Sequence, residues 1–282
     1  MNGLITFILH NQSLYENVKA IIHFKNEFIK CREPYKRIID MLDSDEYKGG
    51  YYIPPKNELE GTISFNNIKF KYEKSETYIL DNFNFKISSG DKIAIIGESG
   101  SGKSTLVKTL TGILSPESGT ILVDDVDIET YDNKWIKSKI GYVAQDSILF
   151  SDTIANNIAY GYDNATYEEI EYAAKQANAH DFIMKLPDKY ETKIDGTELS
   201  SLSGGQKQRI SIARALIRKP KILIFDEATS ALDPKCEETV QNTIRDCLNN
   251  KNITIIIIAH RKSALELADK VYKFENSELI LT

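Results

Sequence analysis

The stretch Gly97-Glu98-Ser99-Gly100-Ser101-Gly102-Lys103-Ser104 has the form G-x-x-x-x-G-K-S, and it constrains the fold more than any other part of the chain. Before it, Ile93, Ala94, Ile95 and Ile96 make a short apolar run suited to a buried strand. After it, Thr105–Leu110 begins a helix with Leu106, Val107 and Leu110 on one side. A strand, a glycine loop and a helix in that order form a phosphate-binding loop. Glycines at 97, 100 and 102 permit positive φ and close backbone approach, so successive N–H groups and the helix N-terminus can surround phosphate oxygens. Lys103 is placed to reach the β- and γ-phosphates, and Ser104 to ligate Mg²⁺.

With 35 Lys and Arg against 41 Asp and Glu the net charge is −6, which gives no electrostatic case for nucleic acid or an anionic membrane surface as the main partner. The three cysteines, Cys31, Cys236 and Cys247, lack metal-ligand spacing and are too few for a disulfide framework, so they read as reduced thiols in the cytosol. The apolar start Gly3–Leu9 is far short of the roughly 20 residues of a spanning helix and has no secretory-signal pattern. From Leu14 to Leu42 apolar residues recur at helical spacing (Leu14, Val18, Ile21, Ile22, Phe28, Ile29, Ile38, Ile39, Met41, Leu42), with a kink expected at Pro34. Gly49-Gly50 and Pro54-Pro55 then mark a linker.

Thr62–Tyr72, Asn82–Ile87 and Gly119–Ile128 show alternating or β-branched patterns separated by turn signals, and predict a small antiparallel sheet beside the phosphate loop. Lys139–Val143, Lys221–Phe225 and Ile253–Ala259 are instead continuous apolar runs, as expected of strands in a parallel sheet covered on both faces. Ligands of such sheets sit at the carboxyl ends of the strands. Gly97, Gln145, Asp226 and His260, each following one of these runs, therefore converge on one edge.

Each of these residues suits phosphoryl transfer to water, where catalysis is mostly positioning and electrostatics. Asp226 fits as the Mg²⁺-side carboxylate. Glu227, just past the strand, is placed to polarise an attacking water as general base. His260 is suited either to contact the γ-phosphate or to hold Glu227 and the water in line. Gln145 offers a carbonyl oxygen to Mg²⁺ or to water. A lone His or Gln after a strand is ordinarily structural, and it is the shared placement of all four that argues for catalysis. Elsewhere, Leu202-Ser203-Gly204-Gly205-Gln206 precedes a helix from Lys207 to Arg218, so Ser203 and the glycines form a second helix N-terminus that favours phosphate.

Taken together, Gly97–Ser104, Gln145, Leu202–Gln206, Ile222–Glu227, Ser230-Ala231-Leu232-Asp233 and His260 resemble, in order, the Walker A, Q-loop, signature, Walker B, D-loop and H-loop of ATP-binding cassette (ABC) ATPases. The resemblance covers about residues 59–275. More narrowly, Ile140–Gln145, Leu149–Ile154 and Ala177–Ile183 are similar to exporters of the multidrug-resistance, P-glycoprotein-like subfamily. It implies an α/β fold: a P-loop NTPase (RecA-like) parallel-sheet core, an antiparallel β subdomain, and an inserted α-helical subdomain at about 147–215. Nucleotide would be held by Tyr72, stacking on adenine, and by Gly97, Glu98, Ser99, Gly100, Ser101, Gly102, Lys103, Ser104 and Thr105. Glu227, His260, Lys103 and Gln145 would be catalytic, with Ser104, Gln145 and Asp226 on the Mg²⁺ side.

The same resemblance assigns 1–43, with Arg37–Leu42, to the end of a last transmembrane helix and its continuation, 44–58 to a linker, and 59–282 to the nucleotide-binding domain. The spanning bundle is then expected on a longer polypeptide of which this chain is one piece, or ahead of a coding start that falls inside it. Lys273–Leu281 looks like the family's late β-hairpin, without the helix that usually follows. Many exporters carry Gly-Glu-Arg-Gly shortly before the signature, whereas Ile194–Ser201 differs, leaving Asp195 or Glu198 to replace the acid. The implied function is ATP binding and hydrolysis in an exporter. The implied partners are a second nucleotide-binding domain, identical or not, paired head to tail around two Mg-ATP, and a transmembrane domain, at a membrane with this domain on the cytosolic or matrix side. A free-standing soluble ABC ATPase with a non-transport role is the alternative; one acting on nucleic acid would be expected to show a basic arm, a coiled-coil insertion or tandem cassettes.

Overall fold

A computed structural model describes residues 2–42, 50–73, 75–98, 100–194, 202–229, 234–248, 252–259 and 268–282. The chain divides into two compact units, Met1–Lys48 and Gly49–Thr282. In the first, a single helix α1 (Asn2–Leu42) takes in the apolar start and continues through Pro34. Phe7, Leu14, Ile21, Phe28, Tyr35 and Leu42, spaced seven apart along α1, are all exposed. Among the described residues no helix is long and apolar enough to cross a membrane.

The second unit runs β1 (Ile63–Phe70), β2 (Leu80–Ile87), β3 (Lys92–Ile96), α2 (Lys103–Leu110), β4 (Ser118–Val123), β5 (Val126–Asp127), α3 (Asn133–Lys139) and β6 (Ile140–Val143). It continues with α4 (Ile154–Ala159), α5 (Tyr167–Gln176), α6 (His180–Ile183), α7 (Gly204–Leu216), β7 (Ile222–Asp226), α8 (Pro234–Leu248), β8 (Thr254–Ile258), β9 (Lys270–Glu275) and β10 (Glu278–Leu281). Of the stretch 44–58, the described residues 50–58 lie in this unit. Gly50 and Tyr52 form parallel bridges with Asp132 and Tyr131, and Trp135 Nε1 donates to Asn57 Oδ1.

The larger sheet has the order β10-β9-β3-β8-β7-β6, parallel throughout except for the β9–β10 hairpin. Its continuous apolar runs are explained by what lies on either side. Leu223 and Phe225 of β7 and Ile255 and Ile257 of β8 belong to one core cluster with residues of α4–α8. Ile222, Ile224, Ile256 and Ile258 point the other way, into a second cluster with Ile93, Ile95 and the antiparallel strands. With both faces covered, the runs Ile222–Phe225 and Ile255–Ile258 are apolar throughout, and the polar residues stand at strand ends, Thr254 at the start of β8 and Asp226 at the end of β7.

The smaller sheet, order β2-β1-β4-β5, is antiparallel. In β1 the buried residues are Ile63, Phe65, Ile68 and Phe70, a skip that breaks strict alternation. A bulge between Phe65 and Ile68, where Asn67 takes φ 49°, absorbs the extra residue and keeps all four on the core face. The β9–β10 hairpin turns through Asn276 (φ 50°) and Ser277 (φ 59°), both positive, as a two-residue turn matched to strand twist requires.

Candidate active site

β3, β8, β7 and β6 are neighbours with aligned ends: Ile95 pairs with Ile258, Asp226 with Ile258, and Val143 with Phe225. Gly97, Asp226, Glu227 and Gln145 thus leave one edge of one sheet, as the sequence predicts. His260 of the same expected group lies outside the described residues, as do Ser99 and the D-loop Ser230, Ala231, Leu232 and Asp233. β8 ends at Ile258, and Ala259 just beyond it donates its N–H to Ile95 O.

Between β3 and α2 the loop depends on its glycines. A Cβ on Gly97 would stand 2.8 Å from Phe274 O, and Gly102, the residue capping α2, takes φ 114°. Lys103 is only 4% exposed, and its Nζ donates to Glu98 O at 2.7 Å and Gly97 O at 3.0 Å. Burial holds its pKa below the usual lysine value, against the opposing pull of Glu227 and Asp226. The ammonium thus rests on loop carbonyls, beside the N–H groups at the start of α2 to which a phosphate would bind.

Ser104, the next residue, donates from Oγ to Asp226 Oδ1 at 3.4 Å. Asp226 Oδ2 accepts from Tyr142 Oη at 2.9 Å. Asp226 is 5% exposed, and burial pushes its pKa up although both hydrogen bonds favour the carboxylate. Two hard oxygens facing each other at the loop suit Mg²⁺, which takes few protein ligands and completes its shell with phosphate and water. Glu227 has φ 52°, with its N–H donating to Ile258 O at 3.1 Å. A glutamate in this left-handed region costs on the order of 1–2 kcal/mol. The conformation turns the chain sharply where β7 ends. Gln145 follows β6 and is exposed, with Ser147 Oγ donating to Gln208 of α7 just beyond it.

Tyr72 follows β1, its ring packed edge-on against Phe70 at 5.1 Å and 41% exposed. Its Oη lies 3.3 Å from Thr105 Oγ1, which ties the tyrosine to the start of α2. The second expected anion site opens α7. Ser203 accepts from Gln206 N, and the Gln206 side chain accepts from Ser203 N at 2.8 Å, a reciprocal capping box. The Gln of Leu-Ser-Gly-Gly-Gln is thus explained locally: it secures the turn while Ser203 and Gly204 stay exposed. Tyr142 has no role in the sequence reading, although it sits in the Ile140–Gln145 stretch. Its contact needs the β6–β7 register, Tyr142 against Ile224, which the sequence does not display.

The family model described as ABC transporter matches residues 80–230, more than half of the chain, from β2 through the phosphate loop and signature to the end of β7. The chain belongs to the ABC transporter family. It is an ATPase domain of that family, with the P-loop NTPase fold. It is 40% identical over 279 residues to the leukotoxin translocation ATP-binding protein LktB of Mannheimia glucosida, covering 98% of this chain and 39% of the relative. LktB of Bibersteinia trehalosi matches with the same identity and coverage. A solved bacterial Atm1-family ABC exporter with ATP bound is similar at a TM-score of 0.74 and 36% identity, over 87% of this chain and 43% of that one. The chain therefore spans about two fifths of the length of the relatives it matches.

Proposed function

We propose that this ATPase domain powers an exporter, pairing head to tail with a second nucleotide-binding domain so that ATP lies between one domain's phosphate loop and the other's signature. The observation that carries the reading is the convergence of Lys103, Ser104, Asp226 and Glu227 on one sheet edge, while the capped signature turn at Ser203 and Gly204 stays exposed on a different helix. One domain then supplies phosphate cradle, metal side and base; the exposed turn supplies a helix N-terminus to the nucleotide of its partner.

In this mechanism Tyr72 stacks on adenine and the N–H groups of Gly97–Thr105 hold the phosphates. Lys103 exchanges its loop carbonyls for β- and γ-phosphate oxygens. Ser104 and Asp226, with Gln145 beside them, would hold Mg²⁺, which would supply charge neutralisation at those oxygens. Glu227 takes the proton of the attacking water, with His260 proposed to keep water and γ-phosphate in line. Hydrolysis separates the two domains, and a transmembrane partner converts the cycle into transport. Substrate choice belongs to that partner; exporter, without a particular cargo such as drugs, is as far as the likeness to the LktB proteins and the Atm1-family exporter supports the reading.

A free-standing ABC ATPase remains the alternative. An immunoblot of membrane and soluble fractions of the source cells separates the two. The exporter reading expects the antigen in the membrane fraction and retained there after washing with high salt. A soluble antigen overturns it.

A further inference from the structure

The buried Asp226 carboxylate has both of its oxygens engaged, each by a neutral hydroxyl: Oδ1 by Ser104 and Oδ2 by Tyr142. We propose that Tyr142 is a positioning residue, which fixes the Asp226 carboxylate so that Oδ1 faces Ser104 and the metal while Oδ2 is turned away from it. This rests on the reading of Ser104 and Asp226 as the Mg²⁺ side.

Two features separate this arrangement from ordinary core packing. A phenol, with an ordinary pKa of about 10, is uncharged at neutral pH, so its hydroxyl orients the carboxylate without neutralising it. A lysine or arginine in its place would satisfy Oδ2 equally well but would cancel the charge that the metal needs. Second, Tyr142 belongs to β6 and Asp226 to β7, so the contact is fixed by the ladder in which Tyr142 pairs with Ile224 and Val143 with Phe225. The hydroxyl is held by the sheet itself, not by a loop free to shift. Partners that orient a metal-ligating carboxylate in this way typically alter metal affinity 10–100-fold when removed.

The test is Tyr142→Phe, which keeps the ring and deletes only the hydroxyl. Wild type and variant are titrated with Mg²⁺ at fixed ATP, following nucleotide binding by calorimetry, and with Mn²⁺ as a paramagnetic probe by electron paramagnetic resonance. The half-saturating metal concentration is expected to rise about tenfold in the variant, with ATP binding in EDTA unchanged. Equal metal dependence in variant and wild type would overturn the proposal, as would an equal loss of binding with and without metal, which would reduce Tyr142 to a packing role. If wild type itself binds ATP independently of metal, the reading of Ser104 and Asp226 fails first, and the proposal with it.

Discussion

Ser104 Oγ donates to Asp226 Oδ1 at 3.4 Å, joining the phosphate loop to the end of β7 across 122 positions of sequence. The loop supplies the hydroxyl and the strand the carboxylate, so neither segment alone makes the proposed metal side.

Removing either half should therefore have the same effect. Ser104→Ala and Asp226→Asn are each expected to lower phosphate release at saturating Mg-ATP by about 10²-fold or more, the scale for losing one preorganised charge-stabilising contact. ATP binding in EDTA should stay close to wild type. A variant that lost Mg-free binding as severely would show that the pair supports the loop's shape and not the metal.

Ser203 offers a test that separates folding from function. Ser203→Ala removes the cap on Gln206 N and should cost about 1 kcal/mol, or a melting shift of about 2–4 °C for a unit of this size. Ser203→Asp keeps a good capping oxygen and should melt near wild type, yet it sets a carboxylate against the partner's phosphate. Hydrolysis should fall further in the aspartate variant than in the alanine one. The opposite order, measured by scanning calorimetry alongside phosphate release, would confine the residue to capping.

Cys247 gives the pH dependence. Burial, with a smaller contribution from Asp246, pushes its thiol from 9.0 up to about 12. Between those values the folded state keeps a proton that the unfolded state has lost, so this contribution to stability is full below about pH 9 and is lost as pH rises toward 12. At pH 9 iodoacetamide should modify the exposed Cys31 and spare Cys247 until urea unfolds the chain, as read by peptide mass. Equal labelling of the two in the folded protein would contradict the assignment.

Much of this site could be read from sequence because its residues follow runs of a distinctive kind. Ile222–Phe225 and Ile255–Ile258 are apolar on both faces, so the polar Asp226 marks a strand end without ambiguity. The glycines at 97 and 102 announce themselves by spacing. Other features leave no such mark. The positive φ of Glu227 is one, since glutamate in that region has no sequence signature and is imposed by the hydrogen bond to Ile258. The bulge at Asn67 is another: it appears in the sequence only as broken alternation. Residues 50–58 carry the prolines and glycine of a linker, but the backbone of Gly50 and Tyr52 still pairs with Asp132 and Tyr131, because edge pairing uses main-chain groups whatever the side chains. Tyr142 needed the sheet register.

The most direct test of head-to-tail pairing is the mass of Glu227→Gln in Mg-ATP, measured by size-exclusion chromatography with light scattering. With the base removed and every other contact kept, the closed pair should accumulate at twice the 31.9 kDa of the chain and return to single chains when ATP is withdrawn. A mass of 31.9 kDa at all protein concentrations, with ATP shown to be bound, would contradict it.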